Sequence, residues 1–166
     1  TDGKAKMSKS LGNCIYLSDS SKEIKKKVNS MYTDPEHLQI TDPGHVEGNV
    51  VFTYLDAFCT DEHFAKFLPE YENLDQMKDN YRRGGLGDGT CKKFLFNIME
   101  DFLQPMRERR AEYERNIPHV YDILRKGSET AREEAAKTLA QVRKAMKIDY
   151  FDDAELIAEH TARYKA

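Results

Sequence analysis

Apolar residues recur at helical spacing along most of the chain, and the polar gaps between them hold residues that cap or break helices. "SSKEIKKKVNSMY" reads as a first helix, with Ser20 and Glu23 as a capping box and Ile24, Val28 and Met31 as its stripe. Lys25, Lys26 and Lys27 fall mostly on its other side. Positions 33–49 hold two Asp-Pro steps and two glycines, which predicts a structured loop. Val50, Val51, Tyr54, Leu55 and Phe58 share one face of a second helix. Thr60 then caps a short helix bearing Phe64, Phe67 and Leu68, which Pro69 closes. Asn73 and Gln76 open another that runs through Tyr81 and stops at Gly84.

The longest pattern comprises Cys91, Phe94, Leu95, Ile98, Met99, Phe102, Leu103, Met106 and Tyr113. It follows the i, i+3, i+4, i+7 rule for about six turns, so a central core helix is expected from Thr90 onward. Pro105 removes a hydrogen bond to Asp101, which predicts a kink. Asn116 and Pro118 start a further helix with Val120, Ile123 and Leu124 facing inward, and Gly127 is expected to end it. Ser128 begins another, whose stripe is Ala131, Ala135, Leu139, Val142 and Met146, and a last amphipathic helix is expected from about Asp153 to Tyr164. "CIYL" at 14–17 is at most a short extended segment. The expectation is an all-α chain: a helical bundle preceded by a flexible loop.

Composition narrows the function more than the fold. At 166 residues the chain suits one compact domain or a small domain with an appendage. No apolar run approaches the roughly 18 residues needed to span a bilayer, so no membrane partner is expected. Three cysteines, Cys14, Cys59 and Cys91, with no C-x-x-C pair, predict reduced thiols in a cytoplasmic protein. The five histidines show no ligand spacing, so no metal site is expected. The net charge of −3 hides an asymmetry, because residues 1–31 carry seven lysines against Asp2, Asp19 and Glu23. A pI near 6.0 argues against broad nonspecific nucleic-acid binding but leaves room for a local phosphate site near the start.

"KMSKS" at Lys6–Ser10 is the candidate for that site. Two lysines three residues apart supply ammonium groups that converge on one polyphosphate, Ser8 and Ser10 add hydroxyls, and Gly3 and Gly12 bound the loop. Phosphoryl and nucleotidyl transfer need such groups because charge accumulates on phosphate oxygens in the transition state. For lysine pairs in general, a solvated end is the ordinary alternative. "GGLGDG" at 84–89 has two readings, an anion cradle or a tight turn between helices. No strand precedes it, Asp88 would repel a phosphate and the Walker spacing is missing, so the turn is expected. Arg107 and Arg110 share a helical face suited to RNA contact, yet Glu108, Glu112 and Glu114 interleave with the cluster, and intrahelical ion pairs explain it equally well. Arg82 and Arg83 suit RNA backbone or a solvated surface.

"KMSKS" is identical to the second signature of class I aminoacyl-tRNA synthetases, and "DGKAKMSKSLGN" looks like its usual surroundings. "CIYLSDSSKEIKKKVNSMYTDP", "DPGHVEGNVVFTYLDAF", "YRRGGLGDGTCKKFL" and "PMRERRAEYERN" resemble the C-terminal part of the bacterial tryptophanyl members, with the tyrosyl members as nearest relatives. The likeness runs from about Asp2 to Phe151. It implies a loop over 1–17 that links to a Rossmann catalytic domain absent from this chain. A helical domain receiving the tRNA anticodon would follow over 18–151, and then a tail or helix over 152–166. Lys6 and Lys9 would be the catalytic contacts to ATP phosphates, with Met7, Ser8 and Ser10 shaping the ATP-binding loop. Mg2+ would accompany ATP, and tryptophan and tRNA(Trp) would be the other partners of a full-length homodimer. Arg82, Arg83, Arg107 and Arg110 are the tRNA-contact candidates. The His-Ile-Gly-His signature is not in these residues, and the chain begins without Met at the motif, so it reads as a piece of something longer. This piece alone is expected to be inactive and could be monomeric. The competing readings are a noncatalytic tRNA-binding module and a helical interaction domain.

Overall fold

Capping side chains mark most of the helix starts. The computed structural model describes residues 6–151 and 153–164; the first part of the predicted loop, Gly3 included, lies outside them. Among the described residues there are seven helices and no strand. In order they are α1 (Ser21–Asn29), α2 (Val50–Phe58), α3 (Asp61–Phe67), α4 (Leu74–Arg83), α5 (Asp88–Glu114), α6 (Ile117–Met146) and α7 (Ala154–Arg163). The chain divides into two compact units, Thr1–Ala111 and Glu112–Ala166.

The Ser20–Glu23 capping box forms as expected, with Glu23 N–H donating to Ser20 Oγ and Ser20 N–H donating to Glu23 Oε2. At α2 the Val51 N–H donates to Asn49 Oδ1, and at α4 the Gln76 N–H donates to Asn73 Oδ1. Such a cap is worth about 1 kcal/mol, whereas fully burying one large apolar side chain gives about 1.5–3 kcal/mol. The caps therefore place the helix starts, and packing holds the helices. In the first unit Ile24 and Val28 of α1, Val51, Phe52 and Leu55 of α2, Phe64 of α3, Met77 and Tyr81 of α4, and six residues of α5 form one core.

Four expectations change. α5 starts at Asp88 rather than Thr90, and it remains helical through Pro105. Its stripe is buried at Cys91, Phe94, Leu95, Ile98, Met99 and Leu103, whereas Phe102 and Tyr113 stand 46% and 44% exposed. Gly127 does not end a helix, because α6 continues for 30 residues. One interior glycine costs only about 1 kcal/mol against alanine, and its neighbours Leu124, Arg125, Lys126 and Glu129 are helix-compatible. The helix ends instead at Lys147, which adopts the left-handed conformation at φ 54°. Ile123 and Leu124, expected to face inward, are exposed, and no residue of α6 or α7 is buried. "CIYL" forms no strand; Asp19 closes a turn there by accepting from Tyr16 N–H.

Tyr81 joins the parts of the first unit. Its ring is fully buried against the Phe52 ring, with centroids 4.8 Å apart, and meets His37 edge-on at 4.6 Å. Its hydroxyl donates to Asp88 Oδ1 at 2.8 Å and accepts from Asn49 Nδ2 at 3.3 Å. Its carbonyl accepts from Gly44 N–H, and a Cβ on Gly44 would come within 2.3 Å of the ring. Replacing Tyr81 by Phe keeps the ring and strands two polar partners. We expect Tyr81→Phe to lower unfolding free energy in urea by about 1–3 kcal/mol. An unchanged midpoint would mean that the hydroxyl network adds nothing to stability.

Candidate functional site

The loop at the chain's start is held by its own polar groups. Ser8 N–H donates to Asn13 Oδ1 at 2.9 Å, Leu11 N–H donates to Ser8 Oγ at 3.3 Å, and Gly12 N–H donates to the Lys9 carbonyl at 3.1 Å. Gly12 has φ +63°, a left-handed conformation that favours glycine. Ser8 and Ser10 hydroxyls lie 3.1 Å apart. Met7 reaches across to another element, its Sδ accepting from Tyr54 Oη of α2 at 3.2 Å. Lys6, Lys9 and Ser10 are exposed, and among the described residues neither lysine has a salt-bridge partner. Two uncompensated cations beside two hydroxyls can receive a polyphosphate. The lysine on α1 nearest to the loop's cleft is occupied differently: Lys27 pairs with Asp19 and lies over the Tyr16 ring.

The arginines singled out for RNA also have internal partners. Arg107 makes a two-point contact with Glu100 at 2.8 and 3.2 Å, donates to Gln104 Oε1 and donates to the Asp19 carbonyl. Arg82 pairs with Glu47 and Asp79, and the Glu47 contact holds the Glu47 carboxyl below its usual pKa. Arg83 Nε donates to the Asp79 carbonyl. All but Arg107 are exposed, so phosphate contact requires sharing or exchange of partners.

The glycine-rich stretch is a turn stitched to the 33–49 loop. Gly84 has φ +77°, and a Cβ there would meet the Thr41 carbonyl oxygen at 2.3 Å. Gly85 N–H donates to the Ile40 carbonyl. Beside the start of α5 lies a cleft lined by His37, Leu38, Ile40, Gly87, Asp88 and Thr90. His37, with 1% of its side chain exposed, lines it with neither ring nitrogen hydrogen-bonded to protein; Nδ1 stands 3.7 Å from Asp88 Oδ1. An isolated histidine in a loop carries no sequence signal for this. Leu38, 86% exposed, adds an apolar wall.

Folding also gathers Asp34, Glu36 and His45, whose ligand atoms lie within 4.8 Å of one another, a grouping that histidine spacing did not suggest. Asp34 is buried and already accepts from Glu36 N–H, His45 N–H and the His45 ring. Those bonds account for the cluster as a loop clasp. Burial pushes the Cys59 thiol up to about 11 and the Cys91 thiol up to about 12, so both remain protonated near neutrality and neither serves as a nucleophile.

The family model described as class I tRNA synthetases, W and Y, matches residues 1–104. The chain belongs to that family. The tryptophan–tRNA ligase of Clostridium longisporum is 57% identical over 153 residues, covering 92% of this chain and 42% of the relative. That of Streptococcus mutans is 53% identical over 150 residues, with 90% and 42% covered. A tryptophanyl-tRNA synthetase from Campylobacter jejuni, crystallised with ADP and tryptophan, superposes with a TM-score of 0.67 at 26% identity, covering 86% of this chain and 41% of that one. The chain thus spans about 42% of the length of the curated relatives it matches. No helix among its described residues is long and apolar enough to cross a membrane.

The Asp34–His45 clasp gives a pH dependence. Burial opposes ionisation of Asp34, but the hydrogen bonds from Glu36 and His45 outweigh it and hold its carboxyl below the usual range. The hydrogen bond and charge of Asp34 raise the His45 imidazole. His45 therefore stabilises the fold fully below its unfolded pKa, and loses that contribution as pH rises through its elevated folded value. Asp34 contributes above its unfolded pKa, and loses its contribution as pH falls through its depressed value. We expect the difference in melting temperature between the protein and His45→Gln to be widest near about pH 5 and to close at alkaline pH. A gap that widens with pH would contradict the pairing.

Proposed function

We propose that the chain is the phosphate-clamp and tRNA-docking part of a tryptophan–tRNA ligase. Such an enzyme joins tryptophan to ATP as tryptophanyl-adenylate and passes it to tRNA(Trp) for protein synthesis. The observation that carries this reading is the loop itself: Lys6 and Lys9 exposed, without carboxylate partners among the described residues, on a turn closed by Ser8, Asn13 and Gly12. In activation the tryptophan carboxylate attacks the α-phosphorus of ATP, and negative charge builds on the departing pyrophosphate. Ammonium groups at Lys6 and Lys9 meet that charge, and a Mg2+ ion travelling with ATP shares it. Met7, Ser8 and Ser10 shape the loop around them. The high identity to tryptophan–tRNA ligases favours tryptophan over tyrosine.

On this reading residues 1–17 connect to a nucleotide-binding domain that supplies the adenosine and tryptophan sites, 18–151 form the tRNA-binding helical part, and 152–166 a terminal helix. The whole enzyme would act as a cytoplasmic homodimer. Arg82, Arg83, Arg107 and Arg110 remain the candidates for RNA phosphates. The cleft beside α5 does not suit a phosphate, since Asp88 repels an anion, and the His37 ring nitrogens are closed off from it by burial.

ATP–pyrophosphate exchange by the full-length protein tests the clamp. We expect Lys9→Ala to lower the tryptophan-dependent rate by roughly 100- to 1,000-fold, the scale of losing one transition-state contact. Exchange by the 166-residue chain alone should be absent, and exchange supported by tyrosine instead of tryptophan would reassign the substrate.

A further inference from the structure

The lysines of the loop are exposed and make no ion pair among the described residues, so other contacts of the loop decide where they stand. Within the loop the backbone donors of Ser8, Leu11 and Gly12 are all turned onto acceptors of the loop itself. These bonds fix the loop's own shape but not its place against the helices. The side chain of Met7 makes the tie outward. It lies between Lys6 and Ser8 in sequence, and its sulfur accepts the Tyr54 hydroxyl at 3.2 Å. Tyr54 is itself well held: half-buried on α2, its ring stacks with Phe58 at 6.0 Å, and Phe58 packs on Phe102 of α5 at 5.5 Å. Burial raises the Tyr54 phenol above its ordinary pKa, so it remains a proton donor at neutral pH. Met7, half exposed, shares the lining of a cleft of about 180 Å³ with the apolar Ile15, Met31 and Val50 and the polar Lys27 and Thr53.

We propose that Tyr54 is a positioning residue for the phosphate clamp, seating the Lys6–Ser10 loop on α2 through Met7. The proposal rests on the clamp reading above. A thioether is a weak, polarizable acceptor, so the tie is one that the loop can make and break within a reaction cycle. Such a seat spares ATP part of the entropy of ordering the loop. Losing it falls first on ATP affinity and leaves tryptophan affinity alone. A hydroxyl that merely stabilised the fold would alter the melting temperature and show no preference between the two substrates.

The test uses the full-length protein with Tyr54→Phe, Met7→Leu and the double variant, and Lys9→Ala in parallel. Tyr54→Phe keeps the aromatic stack and removes only the donor; Met7→Leu keeps the apolar bulk and removes the acceptor. We expect each single change to raise the KM for ATP about threefold to tenfold, with the KM for tryptophan and the melting temperature unchanged. The double variant should be no worse than either single one. Trypsin reads the seat directly: the rate of cleavage after Lys6 and Lys9, normalised to cleavage after Lys137 and followed by mass spectrometry, should rise by a similar factor in Tyr54→Phe. An unchanged cleavage rate, or additive effects of the two substitutions on KM, overturns the seat. If the cleavage rate rises while Lys9→Ala leaves exchange intact, the seat stands and the phosphate-clamp reading is the one that fails.

Discussion

One buried phenol organises the first unit. Placing the Tyr81 ring in a fully apolar setting is favourable only if its hydroxyl keeps hydrogen bonds, because an unsatisfied buried polar group costs about 1–3 kcal/mol. Asn49, the cap of α2, and Asp88, the first residue of α5, meet that need from two different helices. Burial, and next the bond to the Asp88 carboxylate, raise the Tyr81 phenol well above its ordinary pKa, so it stays a donor. The same ring excludes any side chain at Gly44 and packs on Phe52 and His37. One side chain thus fixes the start of α5 and the path of the 33–49 loop that runs beside it.

The loop at the start obeys a different economy. Three of its backbone donors, on Ser8, Leu11 and Gly12, are satisfied locally, so it holds a shape without being buried, while its two lysines carry charge that no described carboxylate offsets. Several basic groups elsewhere are paired, Lys27 with Asp19, Lys66 with Asp101, Lys78 with Asp56 and Arg107 with Glu100, whereas Lys22, Lys26 and Lys93 have no ion pair among the described residues. An unpaired surface lysine is thus ordinary in this chain, and it is the motif around them that singles out Lys6 and Lys9. The same accounting bears on the arginine cluster, where RNA contact and intrahelical pairing had fitted the sequence equally. For Arg107 the structure supplies the internal partners in full view.

The second unit shows where an amphipathic pattern stops being informative. α6 and α7 are capped by Asn116 and Asp153, and α6 carries Ile117, Tyr121, Leu124, Leu139, Val142 and Met146, yet these side chains are all exposed. A stripe at helical spacing predicts that a helix forms; it says nothing about what covers the stripe. The same limit shows in α5 at Tyr113, beyond the last buried position Leu103, and at Phe102 beside it, both on the pattern yet exposed.

Local chemistry was legible from the residues alone: the Ser20–Glu23 capping box, the helical character of each apolar stripe, the turn at Gly84–Gly85, and the five-residue motif with its lysines. These depend on neighbours three or four positions away, and sequence spacing reports such neighbours faithfully. Gly127 misled because a single interior glycine costs less than a continuing helix gains. Contacts between distant positions were not legible. Tyr54 meets Met7 across 47 residues, Tyr81 meets Asn49 across 32, and Asp34 meets His45 across 11 within a loop that has no period to read. The sequence by itself determined where most helices form and which loop carries the paired lysines proposed to meet a phosphate. Only the tertiary structure decided where those charges are held and which polar groups are left without partners, because both depend on side chains brought together by packing rather than by order in the chain.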